Sequence, residues 1–213
     1  MEVRQTHKAL KLALLMLYHP LEAIDLFKRY RRGFYGGAFG IALLIPAVRL
    51  LQIFGENYAV AGRELTEVNF LLEILVFAAP IATFVLVNSW ITGILSGESG
   101  LDEIFGYTMY AFVPYLVMTP LLTGISWLLS ADLSAFYTLL QTAMWGWVLL
   151  LLFLGILRSN DYSFGKSLLV TGIIVIFMLL VWALLMLFFA LSCQLYLFIR
   201  EIVYEITVRQ ISG

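Results

Sequence analysis

The sequence is poor in the side chains on which catalysis and metal binding depend. It contains one cysteine, Cys193, and two histidines, His7 and His19, both near the N-terminus. A single cysteine cannot form an internal disulfide, and no cluster of His, Cys and carboxylate residues has the spacing of a metal site. The sequence motifs of nucleotide-binding loops, zinc peptidases and serine hydrolases are absent as well. We therefore expect a protein that is not an enzyme and that requires no cofactor and no metal ion.

Charged residues are scarce too. Asp, Glu, Lys and Arg make up 13% of the chain, whereas soluble proteins contain about 25%. The net charge of −1 gives no reason to expect binding to nucleic acid. Apolar residues are in excess, at 62%, and this composition indicates a membrane protein.

Five apolar runs are long enough to cross a bilayer. A spanning helix needs about 20 mostly apolar residues to cross a hydrocarbon core of about 30 Å. The runs are continuous rather than alternating, which favours helices over strands. They comprise residues 37–54, 70–95, 105–129, 133–157 and 168–199. The sequence therefore predicts an all-α, polytopic membrane helical bundle with five transmembrane helices in residues 37–199.

The basic residues are unevenly distributed along the chain. Those that precede the first span are Arg4, Lys8, Lys11, Lys28, Arg29, Arg31 and Arg32. The next loop, residues 55–69, holds only Arg63. Because Lys and Arg are enriched in cytoplasmic segments, we expect the N-terminus in the cytoplasm. With five spans, the C-terminus is then expected outside the cytoplasm.

The sequence pattern of residues 1–36 predicts two amphipathic helices that lie on the cytoplasmic membrane surface. The segment "THKALKLALLMLY" is separated from "PLEAIDLFKRY" by His19 and Pro20, which interrupt a helix. Helical spacing places Leu21, Ile24, Phe27 and Tyr30 on one face of the second segment. The cluster of Lys28, Arg29, Arg31 and Arg32 either binds anionic lipid or serves only to set the topology, and the sequence does not decide between these two roles.

Two charged residues fall inside the predicted spans. Arg49 lies near the outer end of the first span and Glu73 near the outer start of the second, so the two can lie at a similar depth. Such a pair is either an ion or proton site or a structural salt bridge. We favour the salt bridge because both groups lie near the interface, where the cost of a charge is small.

The neutral amides Asn88, Gln141 and Gln194 are expected to bind helix to helix. Prolines are expected to kink the spans at Pro46, Pro80, Pro114 and Pro120, and the third span, which holds two of them, is expected to be the least regular.

The loop before the third span reads "GESGLDEIFGYTMYAFVP". Asp102 and Glu103 fall where a helix begins, and carboxylates are favoured at the positive end of the helix dipole. They are also candidates to pair with the basic N-terminal segment on the same face.

Together with Pro20 and Glu22, the residues Gly106, Tyr107 and Pro114 resemble the Yip1 domain. The resemblance implies a five-span membrane protein with a cytoplasmic N-terminus. Eukaryotic members bind small GTPases and shape secretory membranes, but this chain lacks their long N-terminal region, so GTPase binding is not expected. Prokaryotic members have no settled activity. The resemblance and the short chain favour a prokaryotic plasma membrane.

The last apolar run is longer than a bilayer requires. As a helix it extends over about 48 Å, and its apolar pattern continues through Leu195, Ile199, Ile202 and Ile206. We expect residues 200–213 to form a helical extension outside the membrane. Its apolar stripe either docks onto a partner or lies on the outer leaflet or on loop 55–69.

The favoured hypothesis is a non-enzymatic protein that serves as a scaffold or accessory subunit of a larger membrane complex, such as a transporter complex, or as a membrane organiser. Its partners would be membrane lipids and either other membrane subunits or copies of itself. The alternative is a small transporter or channel that acts as a homo-oligomer. An intramembrane enzyme that uses Asp102, Glu103 and Asp161 is the least favoured hypothesis, since no nucleophile or metal set accompanies these carboxylates.

Overall fold

The computed structural model describes residues 2–30, 33–57, 60 and 69–211, and the side chains of residues 2–8, 131 and 203–211 are not considered. The predicted all-α bundle is confirmed, since the regular elements of the described residues are helices. In chain order they are α1 (Glu2–Tyr18), α2 (Pro20–Tyr30), α3 (Tyr35–Gly55), α4 (Phe70–Ile94), α5 (Leu101–Ala111), α6 (Val113–Ser126), α7 (Ser134–Ser159) and α8 (Phe164–Ile211), with a short 3-10 turn at Ala131–Leu133.

Five segments are long and apolar enough to cross a membrane, which agrees with the predicted number of spans. They are Tyr35–Gly55, Phe70–Ile94, Leu101–Ser126, Ser134–Ser159 and Phe164–Ile202. The third begins four positions earlier than predicted. Gly100 has an extended backbone there and serves as the N-cap, so the helix starts at once with Asp102 and Glu103 in its first turn.

The third span is interrupted at Phe112, between α5 and α6. Pro114 occupies the first turn of α6 and has no N–H group to bond to the preceding turn, so the helical ladder cannot continue through this position. The N–H of Phe112 bonds instead to the carbonyl of Met109 at 3.1 Å. Pro46, Pro80 and Pro120 lie inside continuous helices, so of these prolines only Pro114 coincides with an interruption.

The third span is the centre of the bundle. Its most apolar stretch is 61% buried, whereas the corresponding stretches of the other four spans are 6% to 33% buried. Its Tyr107, Tyr110 and Tyr115 are among the largest fully buried side chains. Helices α3, α4 and α7 all contact α5, and α3 and α7 also contact α6.

Contacts between loops define two ends of the bundle. At the near end, α2 meets the loops of residues 95–100 and 160–163, where Lys28 contacts both Glu98 and Asp161. At the far end, the indole N–H of Trp127 donates to the carbonyl of Gly55 at 2.6 Å. The alternation of ends along the chain is that of a five-span topology.

The two N-terminal helices cover the bundle instead of lying only on lipid, which corrects the sequence prediction. Leu12 and Met16 of α1 and Ala23, Ile24 and Phe27 of α2 are buried in the main core. Leu21 and Tyr30, which were expected to share the buried face of α2, are exposed. An amphipathic helix buries its apolar face equally well against lipid or protein, so the sequence pattern did not distinguish the two.

Helix α8 is a single helix of 48 residues, as its unbroken pattern predicted. At about 1.5 Å per residue it is about 72 Å long, against about 39 Å for α7. Its first turns pack on α4 and α7, with Val170 and Ile174 fully buried. Every residue in 183–202 is exposed.

Candidate functional site

The Gly-Tyr pair of α5 is where α2 and α7 meet the central span. A Cβ atom placed on Gly106 would lie 2.8 Å from Cε1 of Phe27 and closer still to Cζ, so only glycine leaves room for that ring. Phe27 also contacts the rings of Phe34 and Tyr110, with centroids 6.2 and 5.8 Å away. Gly106 therefore forms the socket that holds α2 against the bundle.

Tyr107 lies on the opposite side of this pair and contacts α7 and α4. A Cβ atom on Gly155 would lie 2.5 Å from Cδ2 of Tyr107, so the tyrosine ring lies directly against the α7 backbone. The Tyr107 hydroxyl accepts a hydrogen bond from the amide of Asn88, and both side chains are buried. Asn88 thus joins two helices, the role that the sequence suggested for amides within spans.

The predicted carboxylates at the helix start take part in near-end contacts. Glu103 is buried and accepts from the Ser159 hydroxyl at 2.7 Å, and Ser159 accepts in turn from Ser99 at 2.7 Å. Asp102 accepts from the hydroxyl of Tyr35. These bonds connect the start of α5 to the end of α7 and to the start of α3, which is a structural arrangement.

An ionic clamp holds α2 to the near end. Lys28 Nζ lies 2.6 Å from Asp161 Oδ2 and 3.2 Å from Glu98 Oε2. Arg158 holds Asp25 of α2 through two bonds of 2.8 Å each, the bidentate geometry that guanidinium and carboxylate favour. The carboxylates that hold Lys28 are Asp161 and Glu98 of the loops, whereas the sequence had suggested Asp102 and Glu103 as partners of the basic segment.

The clamp shifts the ionisation of its members outside the membrane. The hydrogen bond from Lys28 lowers the pKa of Asp161, and the nearby charge of Arg158 adds to this effect. Burial lowers the pKa of Lys28, but the hydrogen bonds and charges of Asp161 and Glu98 outweigh it, so this pKa is raised overall. Both shifts favour the charged pair.

The basic cluster is therefore divided between two environments. Lys28 faces the protein, because two carboxylates of the bundle lie within its reach. Arg29 is exposed at the end of α2 and remains a candidate for lipid contact. Arg31 and Arg32 lie outside the described residues.

The charged residues Arg49 and Glu73 lie together, as their predicted depth required. Arg49 Nη2 is 2.7 Å from Glu73 Oε2, and the two side chains are 17% and 23% exposed. The guanidinium carbon also lies 5.7 Å from the centroid of the Phe77 ring, within the range of a cation–π contact. This pair connects α3 to α4 near the far end.

A larger polar network surrounds that ion pair. Arg49 Nη1 donates to Gln52 Oε1 at 3.0 Å, and Gln52 donates to Glu56 at 3.2 Å. Glu56 also accepts from Gln141 at 2.9 Å and from the hydroxyl of Tyr137. The network therefore connects α3, α4 and α7, and carries two carboxylates for one guanidinium.

Sequence reasoning found Arg49, Glu73 and Gln141 but missed the residues that join them. Gln52 and Glu56 follow Arg49 at spacings of three and seven, which places all three on one helix face. That spacing is a signal available in the sequence. The contribution of Tyr137 required the packing of α7 against α3 to be known.

The predicted docking stripe on α8 is open. Leu195, Ile199 and Ile202 are exposed, whereas the side chain of Ile206 lies outside the described residues. Gln194 is exposed as well, so its expected helix-to-helix contact is not made within the described bundle. The stripe belongs to a stretch of α8, residues 183–202, that is exposed on all sides.

The described residues contain no candidate metal site, and comparison with known proteins gives no match. Within the described part of the chain, no three His, Cys, Asp or Glu side chains are grouped to hold a metal ion. No family model, curated protein or solved structure matches the chain. The features that bear on function are therefore the polar network, the clamped N-terminal helices and the exposed length of α8.

Proposed function

We propose that this chain is a non-enzymatic scaffold or accessory subunit of a larger membrane complex, such as a transporter complex, and that α8 is its partner-binding helix. The single observation behind this proposal is the exposure of α8 on all sides over residues 183–202. Most of those residues are apolar, and they include Phe188, Phe189 and Leu195.

The length of α8 argues that lipid alone does not cover it. A hydrocarbon core of about 30 Å accommodates about 20 residues, and tilt absorbs part of an excess. The helix exceeds α7 by about 33 Å. An apolar helix face that extends beyond the membrane is stabilised when another protein surface removes it from water.

The contacts between the other helices favour a rigid scaffold over a protein that changes conformation. Polar contacts join the helices at both ends of the bundle: the clamp on α2 at the near end and the Arg49 network at the far end. Such a frame gives the first turns of α8 a fixed attachment, around Val170 and Ile174. We place the near end, with its basic N-terminal segment, in the cytoplasm of a prokaryotic cell and the free part of α8 outside its plasma membrane.

The resemblance to the Yip1 domain stays a prediction. It is compatible with the packing roles of Gly106 and Tyr107 and with the helix interruption at Pro114. Membership of that family would not specify an activity, because its prokaryotic members have no settled activity.

A photoreactive amino acid placed at Ile199 tests the proposed partner surface. Irradiation of native membranes should give one discrete adduct with another membrane protein, which then co-purifies with the unmodified chain at a fixed ratio. Leu43, an exposed residue of α3, is the matched control and should give only lipid adducts. Lipid adducts alone at Ile199 would contradict the proposal, and adducts with a second copy would support the homo-oligomeric alternative.

A second candidate function is a small transporter or channel that works as a homo-oligomer. The observation that favours it is the group of three charged residues Arg49, Glu56 and Glu73 at membrane helices. In liposomes, Arg49→Leu and Glu73→Gln should then change ion or proton flux, whereas Glu201→Gln, at an exposed carboxylate of α8, should not. Unchanged flux in the first two variants would remove the basis of this alternative.

A further inference from the structure

Helix α8 leaves the bundle at an angle and opens a cleft. At the near end, Val170 and Ile174 are fully buried against Val87 and Ile91 of α4 and Ile156 of α7. Further along, Val175 and Leu179 are 50% and 66% exposed, and every residue in 183–202 is exposed. The space between α4, α7 and α8 is therefore closed at the near end and open along its side.

The cleft has the size and lining of a binding site for an apolar ligand. Its volume is about 680 Å³, within the range of about 300–1,000 Å³ found for small-molecule sites. The walls are almost entirely apolar and rich in aromatic rings, including Phe84, Phe112, Trp145 and Trp182. Since all of these residues belong to membrane spans, the medium outside the opening is hydrocarbon.

Two hydroxyl groups are the exceptions in this lining. Thr108 of α5 and Thr171 of α8 both line the cleft, and their Oγ1 atoms are buried with no hydrogen-bond partner among the described residues. Each lies about 10 Å from the near-end start of its helix, counted from Leu101 and Phe164. Because α7 exceeds the hydrocarbon core by only about 4–5 Å at each end, both hydroxyls lie inside the hydrocarbon layer, roughly 5 Å below its near boundary.

The length of the cleft matches one leaflet. From Thr171 to Trp182, α8 rises about 16 Å, and one leaflet contributes about 15 Å of hydrocarbon. A flexible chain follows a cleft that narrows toward Ile156. A partner helix of about 10 Å diameter does not enter the narrow end.

We propose that this cleft binds one acyl chain of a membrane phospholipid, which enters from the open side. The site is separate from the α8 surface of residues 183–202 and does not depend on the proposed partner. A lipid bound there would fill the space between α8 and the rest of the bundle.

Brominated phosphatidylcholine tests the site, because bromine quenches nearby tryptophans. In lipid-free detergent micelles, about one molar equivalent of the brominated lipid should quench the fluorescence of the intact protein. The variant Trp145→Phe/Trp182→Phe, which removes the two cleft tryptophans, should lose most of this quenching. The control Trp90→Phe/Trp147→Phe removes two exposed tryptophans outside the cleft and should retain it.

Filling the cleft provides the second arm of the test. Val175 and Ile176 are adjacent, exposed residues of α8, and only Val175 lines the cleft. Val175→Phe should weaken retention of one phosphatidylcholine in native mass spectrometry at least tenfold, whereas Ile176→Phe should leave it unchanged, with both variants keeping the helical circular dichroism of the parent.

Equal retention in the two variants, or equal quenching in the two tryptophan pairs, would overturn the proposal. Recovery of a protein dimer without lipid, lost on Val175→Phe, would overturn it as well and would identify a second copy as the occupant.

Discussion

Replacement of Gly106 by alanine is expected to release α2 from the bundle. The new methyl group would overlap the ring of Phe27, which is buried among Phe34, Tyr35 and Tyr110. Expelling that ring forfeits about 1.5–3 kcal/mol of burial and about 0.5–1.5 kcal/mol for an aromatic pair. The higher helix propensity of alanine returns about 1 kcal/mol. The net cost is about 1–3.5 kcal/mol, or a roughly 5- to 400-fold larger population of undocked α2.

Limited trypsin digestion measures this population. Cleavage after Lys28 and Arg29 requires α2 to leave the bundle, and its rate follows the open population when closing is faster than cleavage. Gly106→Ala should therefore be cut faster at these sites. Gly93→Ala is the control, because nothing lies within 4 Å of the Cβ position at Gly93.

A double variant separates the clash from any other effect of the substitution. Phe27→Leu removes the overlapping ring atoms, so adding Gly106→Ala to Phe27→Leu should cost much less than it does in the parent. Digestion at the parental rate in Gly106→Ala alone would refute the reasoning, as would strictly additive effects in the double variant.

Two further predictions concern α7 and the clamp. Gly155→Ala should lower the thermal unfolding temperature by displacing Tyr107, whereas Gly146→Ala, which has open space at its Cβ position, should not; equal midpoints would contradict this. Because the pKa of Asp161 is lowered by Lys28, the contribution of this pair is present at neutral pH and is lost as the pH falls through that lowered pKa. For a partly exposed pair this contribution is about 0–1 kcal/mol. Hydrogen exchange of α2 amides, corrected for intrinsic rates, should show a larger loss of protection in acid in the parent than in Asp161→Asn, which keeps the bonds of Glu98 and Asp25.

The sequence predicted those parts of the fold that depend on local composition. Apolar run length gave the five spans, and the alternation of loops between two ends followed from their number. The two prolines of the third span, Pro114 and Pro120, predicted that it is the least regular span, because proline has no N–H group to donate to the preceding turn. The interruption lies at Pro114. The length of α8 followed from the absence of a helix-breaking residue.

Long-range packing was not accessible in the same way. Hydropathy shows that α2 buries one face, but only the contacts of Ala23 and Phe27 show that protein covers it. The importance of Gly106 was carried by a resemblance, whereas its physical reason is a ring that lies 79 positions earlier in the chain. The acyl-chain cleft depends on the angle at which α8 leaves α7, which no local pattern encodes.

The distribution of polar contacts gives the bundle two closed ends and one open side. Near-end bonds through Lys28 and far-end bonds through Glu56 hold α2, α3, α4 and α7 around the central span. Helix α8 is anchored only over its first turns, by apolar packing around Val170 and Ile174 and by a bond of 3.1 Å from Lys166 to the carbonyl of Leu95. Its remaining length can therefore change direction without breaking a described polar contact of the frame. A bound acyl chain would support α8 from the cleft side, so occupancy of the cleft is expected to influence the direction in which α8 meets a partner.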